Sequence, residues 1–179
     1  MNVDIFTTEK KYSVIYADPP WRYSFAKSKS RKIENQYSTM TVDEICSLPV
    51  PSAENAVLYM WATAPKLQEA LKVMESWGFE YKTHAIWDKK TIGMGYWFRG
   101  QHEVLLVGTK GKISPPQPQK RVASVFYEKK TKHSKKPVYI RNLIGEIFSE
   151  LPKIELFARQ QSDGWDCWGN ETDKFAKEA

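Results

Sequence analysis

Apolar residues fall along the chain in short runs bounded by turn-forming residues, and polar stretches separate them. Residues 13–17 (SVIYA) read as a buried strand that stops at Asp18-Pro19-Pro20. Further runs follow at 56–61 (AVLYMW), 83–87 (THAIW), 104–108 (VLLVG) and 153–158 (KIELFA), with a weaker one at 165–168 (WDCW). Their length, β-branched content and lack of strict polar alternation predict strands covered on both faces.

Between the strands the period lengthens to that of a helix. Residues 41–48 open with Thr41 and carry Glu44 at capping-box spacing. Residues 65–77 (PKLQEALKVMESW) place apolar side chains on one helical face and stop at Gly78. Residues 136–151 form a third helix, with Pro137 near its start and Pro152 after its end. Strands alternating with helices predict an α/β fold with a mainly parallel sheet. The stretches 23–37 and roughly 110–132 read as long loops, the expected place for substrate-handling residues above an open sheet.

The 179 residues fit a single domain spanning 1–179, large enough to bury a core without disulfides or metal. Cys46 and Cys167 are far apart, and the three histidines lack ligand spacing, so no metal is expected. No apolar run approaches the ~20 residues of a membrane helix. The N-terminus has no secretory core, and a cytoplasmic location follows as the expectation. The net charge of +6 is unevenly spread: residues 110–136 carry nine Lys or Arg against Glu128 alone, and KSKSRK occupies 27–32. Such segments fit phosphate contact. They also fit a merely solvated surface.

The chemistry centres on Asp18-Pro19-Pro20-Trp21 at the end of the first strand. An exocyclic amine on an aromatic ring is a poor nucleophile, because its lone pair is delocalised into the ring. Acceptors that bond its two hydrogens favour a more tetrahedral nitrogen. Asp18 supplies a carboxylate and Pro19 a backbone carbonyl. Prolines stiffen the turn and remove competing N–H groups. Trp21 can stack on the base or wall its pocket. Taken alone, the tetrapeptide also suits a proline turn followed by a core tryptophan.

The segments from VIYADPPW to GWDCWGNE, taken in order, resemble the MT-A70 family of adenine methyltransferases along nearly the whole chain. The resemblance implies a Rossmann-like methyltransferase fold with permuted motif order, the catalytic segment first and the cofactor segment last. In keeping with that, no Gly-x-Gly-x-x-Gly is present. It implies S-adenosyl-L-methionine as cofactor and Asp18, Pro19, Pro20 and Trp21 as the catalytic segment. Tyr37 of Tyr37-Ser38-Thr39-Met40, Glu103 before the VLLVG run, and Trp21 would meet the substrate nucleoside. Lys136 of Lys136-Pro137 would face the cofactor carboxylate. Glu155, Phe157 and Arg159 of IELFAR, together with Asn170 and Glu171, would line the rest of the cofactor site. Asp18 would also face the cofactor, and Ile5 of Asp4-Ile5 would lie against its adenine. Where the eukaryotic enzyme carries a His-Asn pair after the arginine, this chain has Gln160-Gln161-Ser162.

The expected activity is transfer of a methyl group to the 6-amino group of adenine in DNA. The alternatives are the same reaction on RNA, and an inactive nucleic-acid-binding scaffold. The expected partner is nucleic acid, DNA before RNA, with no membrane. A homodimer or a related subunit is a further expectation.

Overall fold

The computed structural model describes residues 1–23, 39–129 and 135–170. Seven strands, β1 (Tyr12–Ala17), β2 (Ser52–Ala62), β3 (Glu80–Asp88), β4 (His102–Lys110), β5 (Val125–Tyr127), β6 (Lys153–Leu156) and β7 (Asp166–Trp168), form one sheet. Its helices are α1 (Val42–Cys46), α2 (Leu67–Ser76) and α3 (Val138–Ile147). The strand order is β5-β3-β4-β2-β1-β6-β7. Neighbours run parallel except at β2/β4 and β3/β4, so β4 is the reversed strand and the sheet is mainly parallel as expected.

Both faces of the central strands are apolar, which is why β1 and β2 read as unbroken runs. Ile15 and Ala17 with Leu58 and Met60 face Ile45, Val73 and Met74 of α1 and α2. Val14 and Tyr16 with Val57, Tyr59 and Trp61 face Ile140 and Ile144 of α3. Truncating a fully buried side chain such as Leu58 to alanine costs roughly 2–5 kcal/mol in lost transfer energy and cavity.

The helix ends follow their sequence signals. Thr41 N–H donates to Glu44 Oε2 at 2.6 Å and Glu44 N–H to Thr41 Oγ1 at 3.2 Å, which is the expected capping box. Gly78 stops α2 with φ 81°. Lys153, buried at the start of β6, donates through Nζ to the carbonyls of Phe148, Ser149 and Leu151, the chain leaving α3.

Some expectations change. The stretch of roughly 110–132, expected to be a loop, contains β5, an edge strand paired parallel to β3. The first half of β3 is exposed, not covered on both faces. The run 153–158 ends as a strand at Leu156, because Phe157 adopts φ 61° and turns the chain. The third helix starts at Val138, which leaves Lys136 in the approach to it.

The topology fixes the site. β1 pairs with β2 on one side and β6 on the other, all parallel. The chain therefore leaves the carboxyl end of β1 toward one side and later returns on the other. Ligand crevices of open α/β sheets form at this kind of switch point.

Candidate active site

Asp18 follows β1 at this switch point. Lys136 Nζ lies 2.8 Å from Asp18 Oδ1 and 2.8 Å from Oδ2, and 3.3 Å from Glu103 Oε2. Lys89 Nζ holds the other oxygen of Glu103 at 2.6 Å. The result is an alternating row, Asp18–Lys136–Glu103–Lys89, with these side chains 12–19% exposed. Glu103 enters because β4 is antiparallel to β2: Ala62 pairs with Val104, so the start of β4 lies beside the end of β2.

The electrostatics follow from that row. Burial would lower Lys136, but the charges of Asp18 and Glu103 hold it well above the ordinary lysine value. Burial would raise Glu103, but Lys136 and Lys89 outweigh it and keep the carboxyl below its usual range. Glu155 on β6 goes the other way. Burial raises it, Arg141 offsets only part of this, and Asp18 adds to it.

Pro19 and Pro20 form a tight turn in which Trp21 N–H donates to the Pro19 carbonyl at 2.9 Å. That carbonyl thus holds one internal hydrogen bond and keeps a second lone pair. Trp21 is 4% exposed, and its Nε1 donates to the Trp61 carbonyl at 3.2 Å. It is a wall of the site, not an exposed stacking platform. Trp61 donates from Nε1 to Tyr16 Oη at 2.6 Å, and Lys136 Nζ lies 5.8 Å from its ring centroid.

Three cavities meet here, and Asp18 and Arg159 line all of them. One, of about 170 Å³, is walled by Pro19, Trp21, Trp61, Thr63, Glu103 and Lys136. A second, of about 520 Å³, lies among Phe6, Pro20, Met40, Phe157, Trp168 and Asn170. The third is a narrow cleft between β1, β6 and α3, lined by Tyr16, Lys136, Arg141, Glu155, Phe157 and Gln160. Gly169 allows the close approach beneath the second cavity, since a Cβ there would sit 2.5 Å from the Ala158 carbonyl oxygen.

The family model of MT-A70 matches residues 12–171, from the first residue of β1 to just past Asn170. The chain belongs to the MT-A70 family. It is similar to the type II methyltransferase M.MunI of Mycoplasma sp, with 40% identity over 90% of this chain and 78% of that protein. It also resembles the human N(6)-adenosine-methyltransferase catalytic subunit METTL3, with 30% identity over 91% of this chain and 28% of that protein. The human N(6)-adenine-specific methyltransferase METTL4 is 30% identical over 93% of this chain and 38% of that protein. The chain thus spans most of the Mycoplasma relative and well under half of either human one.

In this MT-A70 methyltransferase chain, Asp18, Pro19, Pro20, Trp21, Glu103, Lys136, Glu155, Phe157, Arg159 and Asn170 all gather at one edge of the sheet. Ile5 is 3% exposed, with its side chain in the core, and its neighbour Phe6 is the one that lines the large cavity. Tyr37 and Glu171 lie outside the described residues. Lys89, Arg141, Trp61 and Tyr16 were not singled out from sequence. Arg141 had one available sign, a charge between Ile140 and Ile144 on the apolar side of α3, which is where a buried and functional cation would fall.

Proposed function

We propose that this MT-A70 chain transfers a methyl group from S-adenosyl-L-methionine to the exocyclic 6-amino group of adenine in DNA. The observation that carries this is the position of Asp18, a carboxylate common to a base-sized cavity and to the larger cavity beside it. One group that touches both is what a direct two-substrate transfer requires, because positioning supplies most of the catalysis.

The residues fit the cofactor. The large cavity is apolar at Phe6, Phe157 and Trp168 and polar at Asn170, as a nucleoside needs. The narrow cleft joins carboxylates to cations and suits a zwitterionic amino-acid end. Asp18, Lys136, Glu155, Phe157, Arg159 and Asn170 would hold S-adenosylmethionine, and the family resemblance assigns Glu171 to its ribose and Ile5 to its adenine. The cofactor, when bound, supplies a methyl group already activated on a sulfonium.

The chain's own groups do the rest. A carboxylate accepts at about four lone-pair sites. Asp18 can therefore take a hydrogen bond from the substrate amine while keeping Lys136. The free lone pair of the Pro19 carbonyl takes the second amine hydrogen. Trp21 and Trp61 wall the base and exclude water, and Glu103 bounds the acceptor pocket. The proton released after transfer passes to Asp18, the nearest carboxylate to that nitrogen in this reading.

DNA would be held by exposed cations such as Lys120, Arg121 and Lys129. These position a strand through phosphates without reading sequence. A flipped or unpaired adenine is the form that can enter such a pocket. The tip between β3 and β4 exposes Met94 at 87%, Tyr96 at 85%, Trp97 at 95% and Phe98 at 89%, an apolar surface that supports pairing with a second copy or a related subunit. No helix among the described residues is long and apolar enough to cross a membrane. A cytoplasmic setting fits substrate and cofactor alike.

The test is incubation with labelled S-adenosylmethionine and, separately, single-stranded DNA, duplex DNA and RNA, followed by digestion and detection of N(6)-methyladenine. Label in DNA that Asp18→Ala abolishes is the expected result. Label confined to RNA would move the substrate to RNA, and cofactor binding without transfer to any of the three would favour the scaffold.

A further inference from the structure

β5 runs parallel to β3, so its last residue reaches the same edge of the sheet as the end of β3. Tyr127 pairs with Asp88, and Asp88 pairs on its other side with His102, the neighbour of Glu103. Adjacent strands lie about 4.8 Å apart, which puts the Tyr127 backbone about 10 Å from the start of β4. There Glu103 bounds the acceptor cavity. Phe126 packs edge-on against Trp61, another wall of that cavity, with ring centroids 6.3 Å apart. Side chains alternate along a strand, so Tyr127 turns to the opposite side from Phe126. It is 63% exposed.

The ring carries a fixed cation. Lys90 Nζ lies over it, 3.9 Å from the centroid. Lys90 adopts φ 55°, a left-handed backbone that is unfavourable for a residue with a side chain. Asp88 holds it there: Oδ1 accepts from the Lys90 N–H at 2.8 Å, and Oδ2 lies 3.4 Å from Lys90 Nζ. Gln101 Nε2 donates to the same Asp88 Oδ1 at 2.9 Å. Strain of this kind persists where the surroundings over-determine it, and it gathers at ligand sites. A tyrosine that merely ended an edge strand would not need a strained lysine over its ring. Lys89, next in the chain, is bonded to Glu103, and Lys129, two residues past Tyr127, is exposed. An open aromatic ring among cations, leading away from a base-sized cavity, is the arrangement that holds a single strand: cations follow the phosphates and the ring takes the flat face of a base.

We propose that Tyr127, with Lys90 over its ring, is a stacking platform for the base adjoining the target adenine. The proposal rests on the adenine-methylation reading above. It gives the strand a direction, from the acceptor cavity past the ends of β4 and β3 to β5. Every base has a flat face, so the platform positions the strand without reading which base the neighbour is.

Fluorescence anisotropy of the full chain tests it with a labelled oligodeoxythymidine carrying one adenine, and with the same strand bearing an abasic site on either side of that adenine. In the wild type the abasic site on one side should weaken binding by about 5- to 100-fold, the range of one base on one aromatic ring. Tyr127→Ala should weaken the intact strand by a similar factor and that abasic strand by less than about twofold, because the base it would meet is already gone. Tyr127→Phe keeps the ring and should bind every strand as the wild type does. Equal weakening of intact and abasic strands by Tyr127→Ala means no base sits on the ring and overturns the proposal. An intact-strand affinity that Tyr127→Ala leaves unchanged overturns it, as does a Tyr127→Phe that behaves like the alanine variant or a wild type that binds none of the strands. Methyl transfer to the adenine of the same strand is followed in parallel. A wild type that shows the abasic effect but transfers no methyl group overturns the methylation reading and leaves the platform standing.

Discussion

Lys136 carries the charge balance of the site, and its removal is the most informative single perturbation. Lys136→Met keeps the aliphatic volume and deletes the ammonium shared by Asp18 at 2.8 Å and Glu103 at 3.3 Å. These side chains are 12–19% exposed, so solvent screens them little. Removing one partner of a buried ion pair costs roughly 3–5 kcal/mol, because a charge is left uncompensated. A chain of this size loses about 2–4 °C of Tm per kcal/mol, so the variant should melt about 6–20 °C below the wild type at pH 7.5. The pH dependence gives the sharper test. In the wild type the Glu103 pKa is held below the ordinary 4.5, so its contribution is present above that value and fades as the pH falls through the lower folded one. Without Lys136, burial is opposed by Lys89 alone, and a proton taken up by the carboxylates relieves the strain. The gap between variant and wild type should therefore narrow between pH 7.5 and pH 5, and adding Glu103→Gln should restore part of the loss. Differential scanning calorimetry across that range measures both. A Tm gap under about 2 °C, or one that is the same at every pH, would refute the shared-cation account.

Three further outcomes follow. Lys129→Ala should weaken DNA binding evenly across sequences and reduce the salt slope by about 0.7–0.9 if it contacts one phosphate, as fluorescence anisotropy at several salt concentrations would show. Trp97→Ser with Phe98→Ser should lower the sedimentation coefficient at concentrations where the wild type pairs. An unchanged coefficient would show that the β3–β4 tip holds no second subunit. Gly169→Ala must move backbone, since the new Cβ would lie 2.5 Å from the Ala158 oxygen and 2.9 Å from Phe157 carbonyl carbon. It should cost roughly 1–3 kcal/mol in urea unfolding and weaken S-adenosylmethionine in the adjoining cavity.

Most of the architecture was legible because burial and propensity agreed. β1 and β2 are apolar on both faces, and their shortness, β-branched content and bounding turn residues separate such runs from a buried helix. Thr41 with Glu44, and Gly78, marked helix ends by local chemistry that tertiary contacts do not override. β5 was hidden because three residues, Val125–Tyr127, carry no measurable period and flank a basic, proline-bearing stretch. The true end of β6 was hidden because Phe157 at φ 61° is a conformation that side-chain type does not announce. Lys136 was legible as a site residue, but its partners were not. The resemblance puts a cofactor carboxylate at Lys136, and the structure adds Asp18 and Glu103 as anions from the chain itself. Such pairings depend on strand register, which a single sequence leaves open.

Glu103 shows how direction in the sheet decides what belongs to a site. In a parallel sheet the residues that follow strands gather at one edge, as Asp18 follows β1 and Phe157 follows β6. A search for chemistry at strand ends would find those two and pass over Glu103, which lies at the start of β4. The reversal of β4 between β2 and β3 brings its beginning to the same edge, with Trp87 paired to Glu103 on one side and Ala62 to Val104 on the other. The carboxylate arrives with Lys89, from the end of β3, already attached at 2.6 Å. Shifting β4 by one residue against β2 would turn Glu103 to the opposite face of the sheet, because side chains alternate with a period of two. The Asp18–Lys136–Glu103 row therefore depends on the β2/β4 register as directly as on its own residues, and a mutation that slips this register should remove the acceptor pocket while leaving Asp18 in place.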